Sequence, residues 1–128
     1  MLGAIFIAHG YYFYDVVTSD ALSAMITKRL GLPLGDFVTS YIYLAHFAGG
    51  VMLILGVFSR IAAMANLPIM IGAVLLFHLD QGFFLRGVII DAARGKAEVA
   101  GYEYALFVLA ATLAQCFLGS GALGLTRS

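Results

Sequence analysis

Apolar residues in this chain come in four long runs, not in short alternating patches. The runs cover residues 2–17, 38–58 ("VTSYIYLAHFAGGVMLILGVF"), 61–79 ("IAAMANLPIMIGAVLLFHL") and 104–123 ("YALFVLAATLAQCFLGSGAL"). A bilayer core takes about 20 mostly apolar residues per helix, with a range of roughly 17 to 25. The pattern predicts an all-α membrane protein built as a four-transmembrane-helix bundle, with its shortest span first. A cleaved signal peptide needs a basic start and a small-residue cleavage site. Here Leu2 follows Met1 without a charge, and His9 and the tyrosines interrupt the apolar core, so the first run is expected to remain as a helix.

The connections differ in length. Only Ser59 and Arg60 separate the second and third runs, which predicts an antiparallel helix pair. After the first run, "TSDALSAMITKRLGLPLGD" opens on a Ser19/Asp20 cap signal, places Leu22, Met25, Ile26 and Arg29 at helical spacing, and stops at Gly31 and Pro33. This reads as a short amphipathic helix at the membrane interface, with Lys28 and Arg29 towards headgroups. "DQGFFLRGVIIDAARGKAEVAGYE" mixes glycine, paired phenylalanine, β-branched residues and charges. It is expected to fold over the end of the bundle, with "GVII" extended. No repeat or composition break marks a boundary, so residues 1–128 form a single domain.

Helices in lipid associate through close approach of small residues and through polar contacts. Gly49, Gly50 and Gly56 on the second span, and Ala62, Ala63, Ala65 and Gly72 on the third, suit that packing. Pro68 frees a carbonyl near Met64, which Asn66 is expected to help satisfy.

Composition agrees with a membrane protein: 62% hydrophobic and 11% charged, with mean hydropathy +1.00. Soluble domains carry about 25% charged residues. Seven basic residues balance seven acidic ones without a basic stripe, so no nucleic-acid partner is expected. Tryptophan is absent, which leaves tyrosine and phenylalanine for the interfacial belt, including Tyr41, Tyr102 and Tyr104. Arg60 reads as a headgroup anchor. Cys116 is the only cysteine, so an intramolecular disulfide, a Cys-x-x-Cys pair and a cysteine-built zinc site are all excluded. It reads as a small packing residue. The two long connections hold Lys28, Arg29, Arg86, Arg94 and Lys96, against Arg60 and Arg127 on the other side, and a positive-inside count would put those connections in the cytoplasm.

Ionisable groups at membrane depth are costly and are functional candidates. They are His9, Asp15, His46, His78 and Glu103, accompanied by tyrosines such as Tyr12 and Tyr43. His9 lies eight positions before Val17, and His46 eight positions after Val38. Each is therefore roughly 12 Å from the same end of its helix at 1.5 Å per residue. Ile5, His9, Tyr12 and Val16 share one face of the first helix; Thr39, Tyr43, His46 and Gly50 share one face of the second. The expectation is a polar pocket opening towards the long connections, with His78 and Glu103 nearer its mouth and Gly10 and Gly50 leaving room for a flat ligand. Imidazole and phenol suit the oxygens of a quinone head group, and histidine passes protons near neutral pH. Two histidines at one level also allow bis-histidine haem or, with a carboxylate, a metal. Haem needs a wide interhelical space, and both groups are expected less than a quinone. The bland alternative is a pair of histidines merely hydrogen-bonded to a tyrosine or a backbone carbonyl.

At this level the chain resembles the DoxX family. The central hairpin "YLAHFAGGVMLILGVFSRIAAMANLPIMIGAVLLFHL" has the family's GG, its LG-[LV]-F-[ST]-R and its apolar helix ending in HL. "AHGYYFY" resembles the first-helix His-Gly motif, "DQGFF" the NGFF-like turn, and "GYEYALFVLAATLAQCFLGSGALGL" the G-x-E-[YL] fourth helix with a closing Gly-x-Gly. Two departures stand out: His46 occupies the place of a frequent glutamate before the GG, and the usual basic N-terminal segment is missing. The resemblance implies a four-helix protein of the bacterial inner membrane with both termini in the cytoplasm, against the charge count. It also implies a link to respiratory quinone and to sulfur or thiol redox systems, as in quinol oxidase and thiosulfate:quinone oxidoreductase subunits. His9, His46, His78 and Glu103 carry over by position.

The expected function is a membrane redox-associated protein that binds a quinone through His9, Tyr12, Tyr43, His46, His78 and Glu103. With no dithiol it would take electrons from a partner membrane or respiratory subunit. The alternative is a non-catalytic accessory subunit packed against a larger complex. A transporter fits least, since one half of the bundle lacks polar groups.

Overall fold

The computed structural model describes residues 1–84, 88–91, 96–99, 101–121 and 124–126, with 88–91 and 96–99 described at the backbone level. Helix α1 (Leu2–Tyr12) runs on into a π-helical turn (Phe13–Val17), and α2 (Ser19–Leu30) follows. Helix α3 covers Gly35–Leu55. Helix α4 (Ser59–Gly72) continues through a π-helical stretch (Ala73–His78) and a 3-10 turn (Leu79–Gln81). An antiparallel hairpin of β1 (Val88–Asp91) and β2 (Lys96–Val99), paired from Val88↔Val99 to Asp91↔Lys96, precedes α5 (Glu103–Leu118). The fold is thus helical apart from this hairpin, which contains the "VII" expected to be extended. Gly87, Arg86, Arg94, Ala122, Leu123 and Arg127, used in the sequence reading, lie outside the described residues.

By length and composition, Gly35–Leu55 and Ser59–Gln81 are each able to cross a membrane, with mean hydropathies of 1.6 and 1.9. The flanking helices are shorter: α5 has 16 residues, and α1 has 11 followed by 5 in the π-helical turn. Helix α1 packs on α3, α3 on α4, and α4 on α5, while α5 touches α1 to close the ring.

Small residues set these contacts. A Cβ at Gly50 would lie 2.6 Å from Ile7 Cγ1 and 2.8 Å from the Gly3 carbonyl, so only glycine lets α1 and α3 approach this closely. At Gly49 a Cβ would lie 2.6 Å from Asn66 Nδ2 on α4. Asn66 does not serve the carbonyl that Pro68 frees near Met64. Its amide donates to the carbonyls of Ala45 and Ala62 instead. The α3–α4 corner is formed by Gly56–Phe58, and Ser59 already begins α4. Gly56 (φ 64°) and Phe58 (φ 46°) both adopt left-handed backbone there.

Two apolar clusters make the interior. Phe6, Met70 and Val108 join α1, α4 and α5. Leu22, Ile26 and Ile42 join α2 to α3, with Phe13, Val38, Tyr43 and Phe77 packed around them. Helix α2 is therefore amphipathic and packs its apolar face on α3. Its Leu22 and Ile26 are buried, while Met25, Lys28 and Arg29 stay exposed.

At the opposite end, Gly3 faces Gly50 and Ile54, and Gly124 packs on Gly56. Thr126 Oγ1 accepts from the Phe58 amide at 2.9 Å, and the Thr126 amide donates to the Gly56 carbonyl at 3.2 Å. The start of α1, the α3–α4 corner and residues 124–126 thus share one end. The α2 connection and the Gly82–Phe84 segment occupy the other.

Candidate functional site

The six candidate residues divide into four settings. His46 is at the centre. It is 3% exposed, with Phe6 against its ring at a centroid separation of 5.2 Å and Gly10 against its Cβ. Its Nδ1 has no hydrogen-bond partner among the described residues; the Ile42 carbonyl one turn back is near but out of hydrogen-bond geometry.

His9 and Tyr12 point the other way. The face of α1 that meets α3 is Gly3, Phe6 and Gly10, so the expected inward face of Ile5, His9, Tyr12 and Val16 is corrected: it looks outward or sideways. The reason is steric. Glycines permit backbone approach, and the helix turns its smallest side chains towards its neighbour. His9 Nδ1 donates to the Ile5 carbonyl at 3.1 Å, and Nε2 has no hydrogen-bond partner among the described residues. The His9 ring stacks on Tyr104 of α5 at 6.2 Å and 17°, and Ala8, His9 and Tyr12 line an open hollow of about 330 Å³. Tyr104, read as an anchor in the sequence, is thus part of this surface. Its position in the first turn of α5, beside Glu103, gave no signal of that.

Tyr43 is half-buried and bridges elements. Its hydroxyl donates to the Phe13 carbonyl at 3.2 Å, in the π-helical turn where the α-helical ladder is interrupted, and accepts from Ser19 Oγ at 3.3 Å. It fixes the junction of α1, α2 and α3.

His78 and Glu103 lie towards the α2 end. His78 Nδ1 donates to Gln81 Oε1 at 3.1 Å. Glu103 sits in the first turn of α5, where a carboxylate is favoured by the helix dipole; its side chain makes no hydrogen bond or ion pair among the described residues. The Glu103 and Tyr102 amides bond to the Phe83 and Gly82 carbonyls, and Phe83 packs edge-on to Tyr102. The structure therefore brings His9 and Tyr12 together at one surface and places His46 behind them in the packed interior. It does not gather all six residues around one cavity. Among the described residues no three histidine, cysteine or acidic side chains converge as metal ligands.

A glycine-packed helix pair, a histidine beside a glycine on α1, and an apolar α4 ending in His78-Leu79 define a small helical membrane-type protein. The DoxX family model matches residues 1–79, from the start of α1 to the end of the α4 π-helical stretch, and the chain belongs to the DoxX family. No curated protein and no solved structure matches it.

Proposed function

We propose that this chain is a four-span protein of the bacterial inner membrane, with both termini cytoplasmic, that binds a quinone-type ligand at the outward hollow of His9 and Tyr12. In this reading it exchanges electrons with a partner oxidoreductase of the respiratory or thiol/sulfur redox system. Membership of a membrane-integral and often redox-associated family supports the setting. The start of α1 and residues 124–126 lie at the same end of the structure, which suits an even number of crossings.

The observation that carries the site is the tautomer imposed on His9. With Nδ1–H given to Ile5, a neutral ring presents Nε2 as an acceptor, and Tyr12 presents a hydroxyl donor a turn away. Acceptor and donor together match a quinol hydroxyl and a quinone carbonyl. The surrounding apolar helix surface suits an isoprenoid tail, and Tyr104 offers a ring face beside the hollow. His46 and Tyr43 act behind this surface by holding α1 in place, and His78 and Glu103 lie along the route to the α2 end.

Binding of a short-chain ubiquinone analogue, in oxidised and reduced form, to the protein in lipid nanodiscs tests the reading. His9→Ala and Tyr12→Phe should each weaken binding about tenfold, the worth of one hydrogen bond. Unchanged affinity in both variants overturns it.

One observation favours an accessory subunit instead. The outer groove between α3 and α4 is wholly apolar and lined by small residues, including Ala45, Ala48, Gly49, Ala62 and Ala65, which admit a neighbouring helix as readily as lipid. Co-purification with a larger complex in mild detergent, with no quinone in the lipid extract, would support that reading.

A further inference from the structure

Gly35, Thr39, Ile42, His46 and Gly49 form one continuous stripe of α3, and all are buried. Helix α1 covers His46 through Phe6 and Gly10, and Asn66 of α4 covers Gly49. Helix α2 covers the outer half of the stripe: Gly35 lies against Ser23 and Thr27, and Leu22 and Ile26 pack on Ile42. Two polar atoms on the stripe, Thr39 Oγ1 and His46 Nδ1, have no partner among the described residues. Buried polar atoms without protein partners are commonly satisfied by water. Thr39 lies between the two residues that α2 covers.

Helix α2 is held to α3 along one face, with Ser23 and Thr27 close against Gly35. Only Leu22 and Ile26 of its 12 residues are buried. Its other ties are Ser19 to the Tyr43 hydroxyl at 3.3 Å near the hinge and, on the rim, Ser23 to Asp36, Arg29 to Asp80 at 3.3 Å, and the Arg29 guanidinium over Phe77. Exposed ties of this kind are individually weak. Both ends have positive φ: Gly31 at φ 67°, which glycine adopts without strain, and Thr18 at φ 67° and ψ 151°, a conformation that a β-branched residue adopts only under strain. A segment that buries only two side chains and starts at a strained residue belongs to the part of a protein that opens first.

We propose that α2 is a hinged lid, turning about Thr18 and Gly31, whose opening admits water to Thr39 and along the stripe to His46. The inference is independent of the quinone reading, because it concerns access from the α2 end and not the outward hollow.

Cysteine labelling in nanodiscs tests it. With Cys116→Ser as background, Thr39→Cys should react slowly with a water-soluble maleimide. Adding Arg29→Ala and Ser23→Ala should raise the rate roughly tenfold, since both rim ties are lost. Val108→Cys, buried in the other cluster, should not change its rate. Ile42→Cys, under the same cover, repeats the measurement if Thr39→Cys folds poorly. A rate indifferent to the rim substitutions overturns the lid, and so does parallel acceleration at Val108→Cys, which would report loosening of the whole chain.

Discussion

The side-chain amide of Asn66 on α4 donates across the helix pair to the Ala45 carbonyl on α3, at 2.8 Å. The same nitrogen donates to Ala62 one turn back at 3.0 Å, and Gly49 leaves the space in which it lies. Interhelical hydrogen bonds in membrane proteins contribute about 0.6–2 kcal/mol. Asn66→Leu should therefore lower stability by about that amount in a detergent unfolding titration. Gly49→Ala should also destabilise, and combined with Asn66→Ala it should cost less than the sum of the two, because the truncation removes the amide against which the added methyl clashes.

Glycines here are not equivalent. At Gly3 a Cβ would run into the Gly50 carbonyl and at Gly50 into Ile7, whereas at Gly72 it meets nothing within 4 Å. Gly3→Ala and Gly50→Ala should each lower the melting temperature by separating α1 from α3. Gly72→Ala should raise stability by about 0.5–1 kcal/mol through backbone entropy.

Phe58 holds left-handed backbone at about 1 kcal/mol cost for a side-chain-bearing residue. Phe58→Gly should recover part of this cost and raise the melting temperature. Thr126→Val removes the acceptor of the Phe58 amide and should lower stability by about 1 kcal/mol in the same assay.

His9 and His46 should separate cleanly in mutagenesis. His46→Ala leaves a void against Phe6 and should destabilise by about 2 kcal/mol or more, with any ligand loss following from that. His9→Ala, at an outer surface, should leave thermal stability nearly unchanged and reduce quinone affinity. Melting curves and binding isotherms on the same preparations distinguish the two.

Much of the helical plan was legible because length and hydropathy carry it: the first run reaches the end of the π-helical turn at Val17, and the α2 segment was marked by its Gly31 stop, although its N-cap is Thr18, without a side-chain capping bond, and not Ser19 or Asp20. The inward face of α1 was not. Choosing it by its polar residues put His9 inside, whereas Gly3 and Gly10, seven residues apart, mark the contacting face and were visible in the sequence. The equal depth of His9 and His46 on their helices was readable from spacing, but depth along an axis does not fix rotation about it. The π-helical turn under Tyr43 left no sequence trace, since nothing in "FYDVV" announces the wider turn.

The fastening of Thr126 onto the Gly56–Phe58 corner joins positions 70 residues apart. During synthesis the corner is laid down long before its clasp exists, and until α5 has been made and residues 124–126 have returned, its backbone must rely on solvent or headgroups. The α3–α4 pair can therefore insert early yet settle only at the last step, and a fusion placed behind residue 126 will pull directly on the corner.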